Sequence, residues 1–108
     1  MKNKRPPLQT RALAAKLRDN SGEIANHLNE ALSTGDLEPV LSALEDAVRA
    51  QGIRKFTEKS GINRTNLHRW FRGDSNPSFK AMFSALSALD VRFVVRPLKE
   101  PNGKDAAN

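Results

Sequence analysis

The chain has 108 residues, a net charge of +6 and no cysteine, which leaves room for one domain with a modest core. The absence of cysteine excludes disulfides, thiolate metal sites and cysteine nucleophiles. No apolar stretch approaches the roughly 20 residues that a membrane span needs, and no apolar block follows the basic residues 1–5. We therefore expect neither a secretory signal nor a membrane partner.

The charge is divided into blocks along the chain. Residues 1–18 hold six basic residues and no acid, residues 19–46 hold seven acids and no Lys or Arg, and residues 47–72 hold seven basic residues and one acid. Ordinary solvated helix faces are one interpretation. Adjacent blocks of opposite sign favour a second one, in which two surfaces meet different partners and one partner is a polyanion.

The first third of the chain predicts short helices. Residues 1–18 indicate a basic N-terminal arm or a short helix, in which Leu13 and Leu17 have helical spacing. Asn20, followed three residues later by Glu23, is typical of a helix start. The helix that follows has one apolar stripe, formed by Ile24, Leu28, Ala31 and Leu32.

A longer helix is predicted after Gly35. Asp36 begins it, Pro39 is tolerated in its first turn, and Gly52 is placed to end it. Its apolar face comprises Leu37, Val40, Leu41, Leu44, Ala47 and Val48. These helices and their short connections predict an all-α domain of five or six helices over residues 19–96.

Residues 53–78 carry the strongest motif. Gly61 suits the positive φ that a tight turn between two short helices requires, and Thr57 supplies a small side chain where such helices touch. Apolar anchors fall at matching offsets on both segments, namely Phe56, Ile62, Leu67 and Trp70. Together with the basic helix that follows the turn, these residues predict a helix-turn-helix unit. An ordinary αα-hairpin is the alternative.

The residues that this packing leaves exposed on the second helix are nearly all hydrogen-bond donors, and none is acidic. They are Asn63, Arg64, Thr65, Asn66, His68, Arg69 and Arg72. Arg can bind guanine bidentately and Asn can bind adenine, while Arg54 and Lys55 on the preceding helix are placed to meet phosphates. The sequence therefore predicts that these nine residues bind double-stranded DNA.

The C-terminal part predicts a last helix and one strand. Ser78 is predicted to be an N-cap, and the apolar face behind it should pack mostly into the core through Phe79, Met82, Phe83, Leu86 and Leu89. Residues 91–96, VRFVVR, predict a short strand ended by Pro97. A lone strand cannot satisfy its own ladder, so we expect it to pair with its copy in a homodimer, through Val91, Phe93, Val94 and Val95. Residues 97–108 are predicted to be a mobile polar tail.

Residues 70–78, WFRGDSNPS, resemble the W-x-R-G-x-x-x-P-S segment of phage-repressor-like (Cro/C1-type) domains. Within that group the chain is similar to the antidote (antitoxin) proteins of HigA-like addiction modules. The matching segments are residues 28–32, 35–37, 43–46, 49–52, 61–64, 76–79 and 86–91, so the resemblance covers roughly residues 20–96. Two departures bear on the structure. Thr57 stands where Ala is usual, and Asp90 replaces a common Gly, so we expect Asp90 to adopt a positive φ.

The resemblance implies a phage-repressor-like helix-turn-helix domain and the antitoxin of a type II toxin-antitoxin module. Such a protein represses its own operon by binding operator DNA and neutralises a RelE-like mRNA endonuclease toxin by direct contact. Residues 67–70, LHRW, are closer to phage repressors than to the most similar antidotes. A stand-alone phage-type transcriptional repressor without a toxin partner is therefore the alternative, and a protein-interaction module is a more remote one.

For the toxin contact, the acidic residues 19–46 offer a surface opposite in sign to a basic protein. We expect Glu23 and Glu30 to contribute charge, and Leu13 and Leu17 to supply apolar anchors beside this block.

No catalytic constellation is present in the sequence. The only histidines are His27 and His68, and there is no glycine-rich phosphate loop. Glu23, His27 and Glu30 share a helix face, a pattern more typical of solvated surface than of a metal site. We expect no enzymatic activity, metal, cofactor or small-molecule substrate, and a cytoplasmic, nucleoid-associated protein.

Overall fold

The computed structural model describes residues 8–99, with side chains described from residue 10 onward. Six helices form within this range: α1 (Leu8–Leu17), α2 (Ser21–Leu32), α3 (Leu37–Gln51), α4 (Ile53–Ser60), α5 (Arg64–Arg72) and α6 (Phe79–Ala88). The described part of the chain contains no strand. The prediction of an all-helical domain is therefore confirmed, with six helices rather than five.

Side-chain caps fix the starts of α2 and α6. The side-chain oxygen of Asn20 accepts the backbone N–H of Glu23 at 3.1 Å, and the hydroxyl of Ser78 accepts the N–H of Ala81 at 3.0 Å. Each cap satisfies an N–H that has no partner inside its helix. The carboxylate of Glu23 lies 3.6 Å from Nζ of Lys16, so it pairs with α1.

Left-handed residues follow α4, α5 and α6. Gly61 has φ +77° and Gly73 has φ +83°, a region in which glycine meets no steric penalty. Asp90 follows α6 with φ +62°, which confirms the conformation predicted for this residue. Its carboxylate lies 3.5 Å from Nζ of Lys59 on α4.

The core is built around α3, which packs against α1, α2, α4 and α5, while α6 packs against α4. Leu44, Ala47 and Val48 lie at the centre of α3 and are fully buried. The helical spacing of these residues places them on one side, and the neighbouring helices cover that side. The face predicted for α3 therefore forms the centre of the molecule.

Four residues predicted as core are exposed. Leu32 and Leu37 are 43% and 45% exposed, since they end α2 and begin α3 on either side of a turn. Phe79 and Phe83 are 70% and 51% exposed. They lie in the first two turns of α6, on a side of this helix that α4 does not cover. The remaining members of the predicted α6 face, Met82, Leu86 and Leu89, are buried.

The predicted C-terminal strand is not formed in this single chain. Residues 91–97 have no regular secondary structure, and a strand without a partner cannot satisfy its ladder. Val91 and Phe93 pack against the core, whereas Val94 and Val95 are 61% and 96% exposed. The side chains thus do not follow the strict alternation expected of a strand.

The structure describes part of each terminal segment. Of residues 1–18, predicted as a basic arm or a short helix, residues 8–17 are helical. Residues 1–7 of that arm and residues 100–108 of the predicted tail lie outside the described residues.

Candidate nucleic-acid interface

Helices α4 and α5 are joined by a turn of three residues, 61–63. Phe56 on α4 is 2% exposed, while Leu67 and Trp70 on α5 are 0% and 6% exposed. Ile62 in the turn is half-buried and packs against the same core. All four predicted anchors therefore hold the two helices to the domain, and the opposite side of α5 faces solvent.

Thr57 occupies a half-buried position on α4. Its hydroxyl donates to the carbonyl oxygen of Arg54, one turn earlier, at 2.9 Å. The polar atom is thus satisfied inside its own helix, which explains how threonine fits where the resemblance leads one to expect alanine.

Asn63 is the N-cap of α5. Its side-chain oxygen accepts the backbone N–H of Asn66 at 2.7 Å, so this oxygen is occupied by the helix start. The amide NH2 group of Asn63 keeps its two donors, and the residue is exposed.

The solvent side of α5 is a row of donors. Asn63, Arg64, Thr65, Asn66, Arg69 and Arg72 are exposed, and His68 is half-buried. No acidic residue occurs in α5. Arg64 and Arg69 make no ion pair with any described residue, so their charges are available to a partner.

The other three cations of the predicted interface lie near carboxylates. The pairs are Arg54 with Glu58 (3.4 Å), Lys55 with Asp19 (3.7 Å) and Arg72 with Asp74 (2.9 Å). All six side chains are more than half exposed. Exposed pairs of this kind contribute about 0–1 kcal/mol, so a phosphate could replace the carboxylate at little cost. The pair of Arg54 and Glu58 could be predicted from their i, i+4 spacing on one helix. The pair of Lys55 and Asp19 could not, because these residues lie far apart in the sequence.

A second surface feature was missed by the sequence reasoning. The rings of Phe79, Phe83 and Phe93 form a cluster with centroid separations of 4.8, 5.8 and 5.7 Å. Two of the predicted dimer residues, Val94 and Val95, follow this cluster directly and are exposed. We name Phe79, Phe83, Phe93, Val94 and Val95 the aromatic patch. A possible signal was the position of Phe79, at the very start of α6.

The predicted toxin-contact residues differ in burial and in ion pairing. Leu17 is 1% exposed and belongs to the core, which corrects its interpretation as a free anchor: α3 covers the end of α1. Leu13 is half-buried and packs against the same core. Glu23 pairs with Lys16, whereas Glu30 is exposed.

Among residues 8–99, no group of three or more His, Asp or Glu side chains is arranged to hold a metal ion. Within the same range, no helix combines the length and the apolar character that crossing a membrane requires.

These features define a small all-helical protein in which a basic surface helix is held to the core by its apolar side. Residues 9–97 match the model of a family described as "Probable addiction module antidote protein", and the chain belongs to this family. The chain is also 35% identical over 74 residues to an uncharacterized protein of Haemophilus influenzae, an alignment that covers 68% of this chain and 76% of the relative. No solved structure matches the chain.

Proposed function

We propose that the chain is the antitoxin of a type II toxin-antitoxin module. It represses its own operon by binding operator DNA, and it neutralises a RelE-like mRNA endonuclease toxin by direct contact. Membership of the antidote family supports the first part, because an antidote requires a toxin to act on. The resemblance to HigA-like antidotes supports the choice of toxin class.

The observation that carries DNA binding is the exposed row of donors on α5. In a helix-turn-helix unit the second helix enters the major groove and its N-terminal residues contact base edges. In this chain α5 would be that helix, with Gly61 in the turn before it. Arg64 and Arg69 carry positive charge without an ion pair to any described residue, as a polyanion-binding helix requires.

The positions of the donors suggest separate roles. Arg64, Thr65 and His68 occupy the first turns of α5, where base contacts are made. Arg69 and Arg72 in its last turn are suited to phosphates. Arg54 and Lys55 lie in the first turn of α4 and position the protein on the DNA backbone.

We further propose that the protein binds DNA as a homodimer. The aromatic patch exposes rings that each bury about 150–250 Å² when fully covered. The backbone N–H groups of residues 92–96 make no backbone hydrogen bond to another described residue. A second copy would cover the exposed rings and give these N–H groups hydrogen-bond partners. The two 91–96 segments could pair antiparallel while the two aromatic patches cover each other. Two copies would also present two α5 helices to two half-sites.

Two measurements test the proposed function. A mobility-shift titration uses the DNA upstream of the chain's own gene as the probe, with a scrambled duplex as its control. Co-expression with the neighbouring open reading frame, followed by co-purification, tests for the toxin. We expect a specific shift and a stable complex. A specific shift without a complex would support the stand-alone phage-type repressor, which residues 67–70 favour, and the absence of a shift would contradict DNA binding.

A further inference from the structure

We propose that the corner between α2 and α3, residues 30–38, is the surface that docks the toxin. The partner that fits this α2–α3 corner is a protein with a cationic surface around an apolar pocket. This inference rests on the antitoxin role proposed above and assigns it to a defined surface.

The first observation is the distribution of unpaired carboxylates. Between residues 8 and 99, three carboxylates form no ion pair: those of Glu30, Asp36 and Glu38. All the remaining Asp and Glu side chains in this range lie within 3.7 Å of a Lys, Arg or His nitrogen. All three are exposed, and all three belong to the α2–α3 corner. Their charges are therefore available to a partner of opposite sign.

The second observation concerns apolar side chains at the same place. Leu32 is the last residue of α2 and Leu37 the first residue of α3, and each is more than two-fifths exposed. A single exposed leucine is ordinary. Two exposed leucines on either side of one turn, in the same nine residues as three unpaired carboxylates, offer the apolar and charged groups that protein interfaces combine.

The free protein can hold these charges at low cost. Asp36 is the N-cap of α3 and Glu38 lies in its first turn, where the helix dipole stabilises negative charge. The α2–α3 corner can therefore keep its negative charge in the free protein. Its exposed leucines are not stabilised by the dipole, and they remain free to bind an apolar surface of a partner.

The sign of the corner separates it from the DNA-binding side. Its negative field repels a polyanion. Helix α2 packs against α1 and α3, whereas α5 packs against α3 and α4, so the two surfaces lie on different helices. A cationic protein is attracted to the corner, and this attraction accelerates encounter more than it adds affinity. Affinity would come from burying Leu32 and Leu37.

The test measures binding to the protein encoded beside the chain's gene, by surface plasmon resonance with the full-length chain. The leucine variant is Leu32→Ser with Leu37→Ser, and its control is Leu98→Ser, which changes an 89% exposed leucine outside the corner. The charge variant is Glu30→Gln with Glu38→Gln, and its control is Glu45→Gln, which removes a carboxylate paired with Arg49 at 2.8 Å.

We expect the leucine variant to bind at least about tenfold more weakly, and the charge variant to associate more slowly and with less salt dependence. Both controls should stay within about twofold of wild type. All variants should shift the upstream DNA as wild type does, which shows that they are folded. Wild-type binding that the leucine variant reproduces within twofold would overturn the corner proposal alone. Failure of the wild type to bind would overturn the antitoxin role, and the corner assignment with it.

Discussion

The side-chain oxygen of Asn63 lies 2.7 Å from the backbone nitrogen of Asn66. Asn63 therefore begins the proposed DNA-contacting surface and also holds the first turn of α5. Asn20 caps α2 in the same way at 3.1 Å, but it lies outside the α4–α5 pair. The two caps allow the structural role of Asn63 to be separated from its binding role.

Asn63→Ala should lower the free energy of unfolding by about 0.5–2 kcal/mol, because the cap is lost. Asn63→Asp should keep the stability, since aspartate caps equally well and suits the helix dipole. The added negative charge should nevertheless weaken DNA binding. Urea unfolding and mobility shift measure the two effects. Asn20→Ala is the control and should lose stability without losing DNA affinity in the folded state. Undiminished DNA binding by Asn63→Asp would contradict the placement of this residue.

Arg64 and Arg54 should differ in what their loss does to specificity. Arg64→Ala should cost about 1–3 kcal/mol on the operator and relax the preference at one base pair. Arg54→Ala should weaken operator and random DNA alike, because we propose that Arg54 contacts a phosphate in place of Glu58, which lies 3.4 Å away in the free protein. Competition titrations with both duplexes measure the ratio. An equal loss on both duplexes for Arg64→Ala would show that this residue does not contact bases.

Affinity for DNA should fall steeply with salt. A dimer whose four arginine and lysine positions at 54, 55, 69 and 72 meet phosphates would neutralise on the order of 6–10 phosphates, with a log–log slope of roughly −0.9 per phosphate. Mobility shifts between low and moderate salt give the slope. Arg69→Ala should make it shallower, whereas Arg49→Ala, on α3, should not. A slope near zero would rule out the phosphate contacts.

The homodimer should depend on the aromatic patch and the segment beside it. Val94→Pro removes a ladder donor and should produce monomers with weak operator affinity. Phe79→Ser with Phe83→Ser should also weaken the dimer, because it removes apolar area that the second copy would bury. Analytical ultracentrifugation measures both, with Leu32→Ser as an exposed apolar control. Dimers that persist in Val94→Pro and in the phenylalanine variant would place the interface elsewhere.

Sequence reasoning identified the elements that carry their own local signals. Caps at Asn20 and Ser78, the turn at Gly61 and the helical spacing of Leu44 depend on residues close in sequence. The positive φ of Asp90 could be anticipated because few other side chains tolerate it.

Burial at helix ends could not be anticipated in the same way. Leu17 and Leu32 each end a helix, yet Leu17 is buried and Leu32 is exposed. The difference comes from α3, whose Gln51 donates to the carbonyl of Leu17 at 2.9 Å and so covers the end of α1. Periodicity shows which residues share a face, but it does not show how far a neighbouring helix extends over that face.

The same limit applies to the candidate site. The exposed basic side of α5 could be predicted from the spacing of residues within that helix. The ion pair between Lys55 and Asp19 could be found only in the tertiary structure. The strand predicted over residues 91–96 would need a partner strand, and the described part of this chain offers none. The exposed phenylalanines of α6 could be found only once α4 was seen to cover part of that helix.

We propose that one chain both binds DNA and neutralises a toxin, through separate surfaces. The decisive experiment is growth rescue in cells that express the neighbouring gene product, measured beside a reporter driven by the chain's own upstream DNA. We predict that wild type restores growth and represses the reporter, while Arg64→Ala with Arg69→Ala loses repression and still restores growth. Failure of the wild type to restore growth would contradict the antitoxin role, and loss of rescue in the folded arginine variant would contradict the separation of the two surfaces.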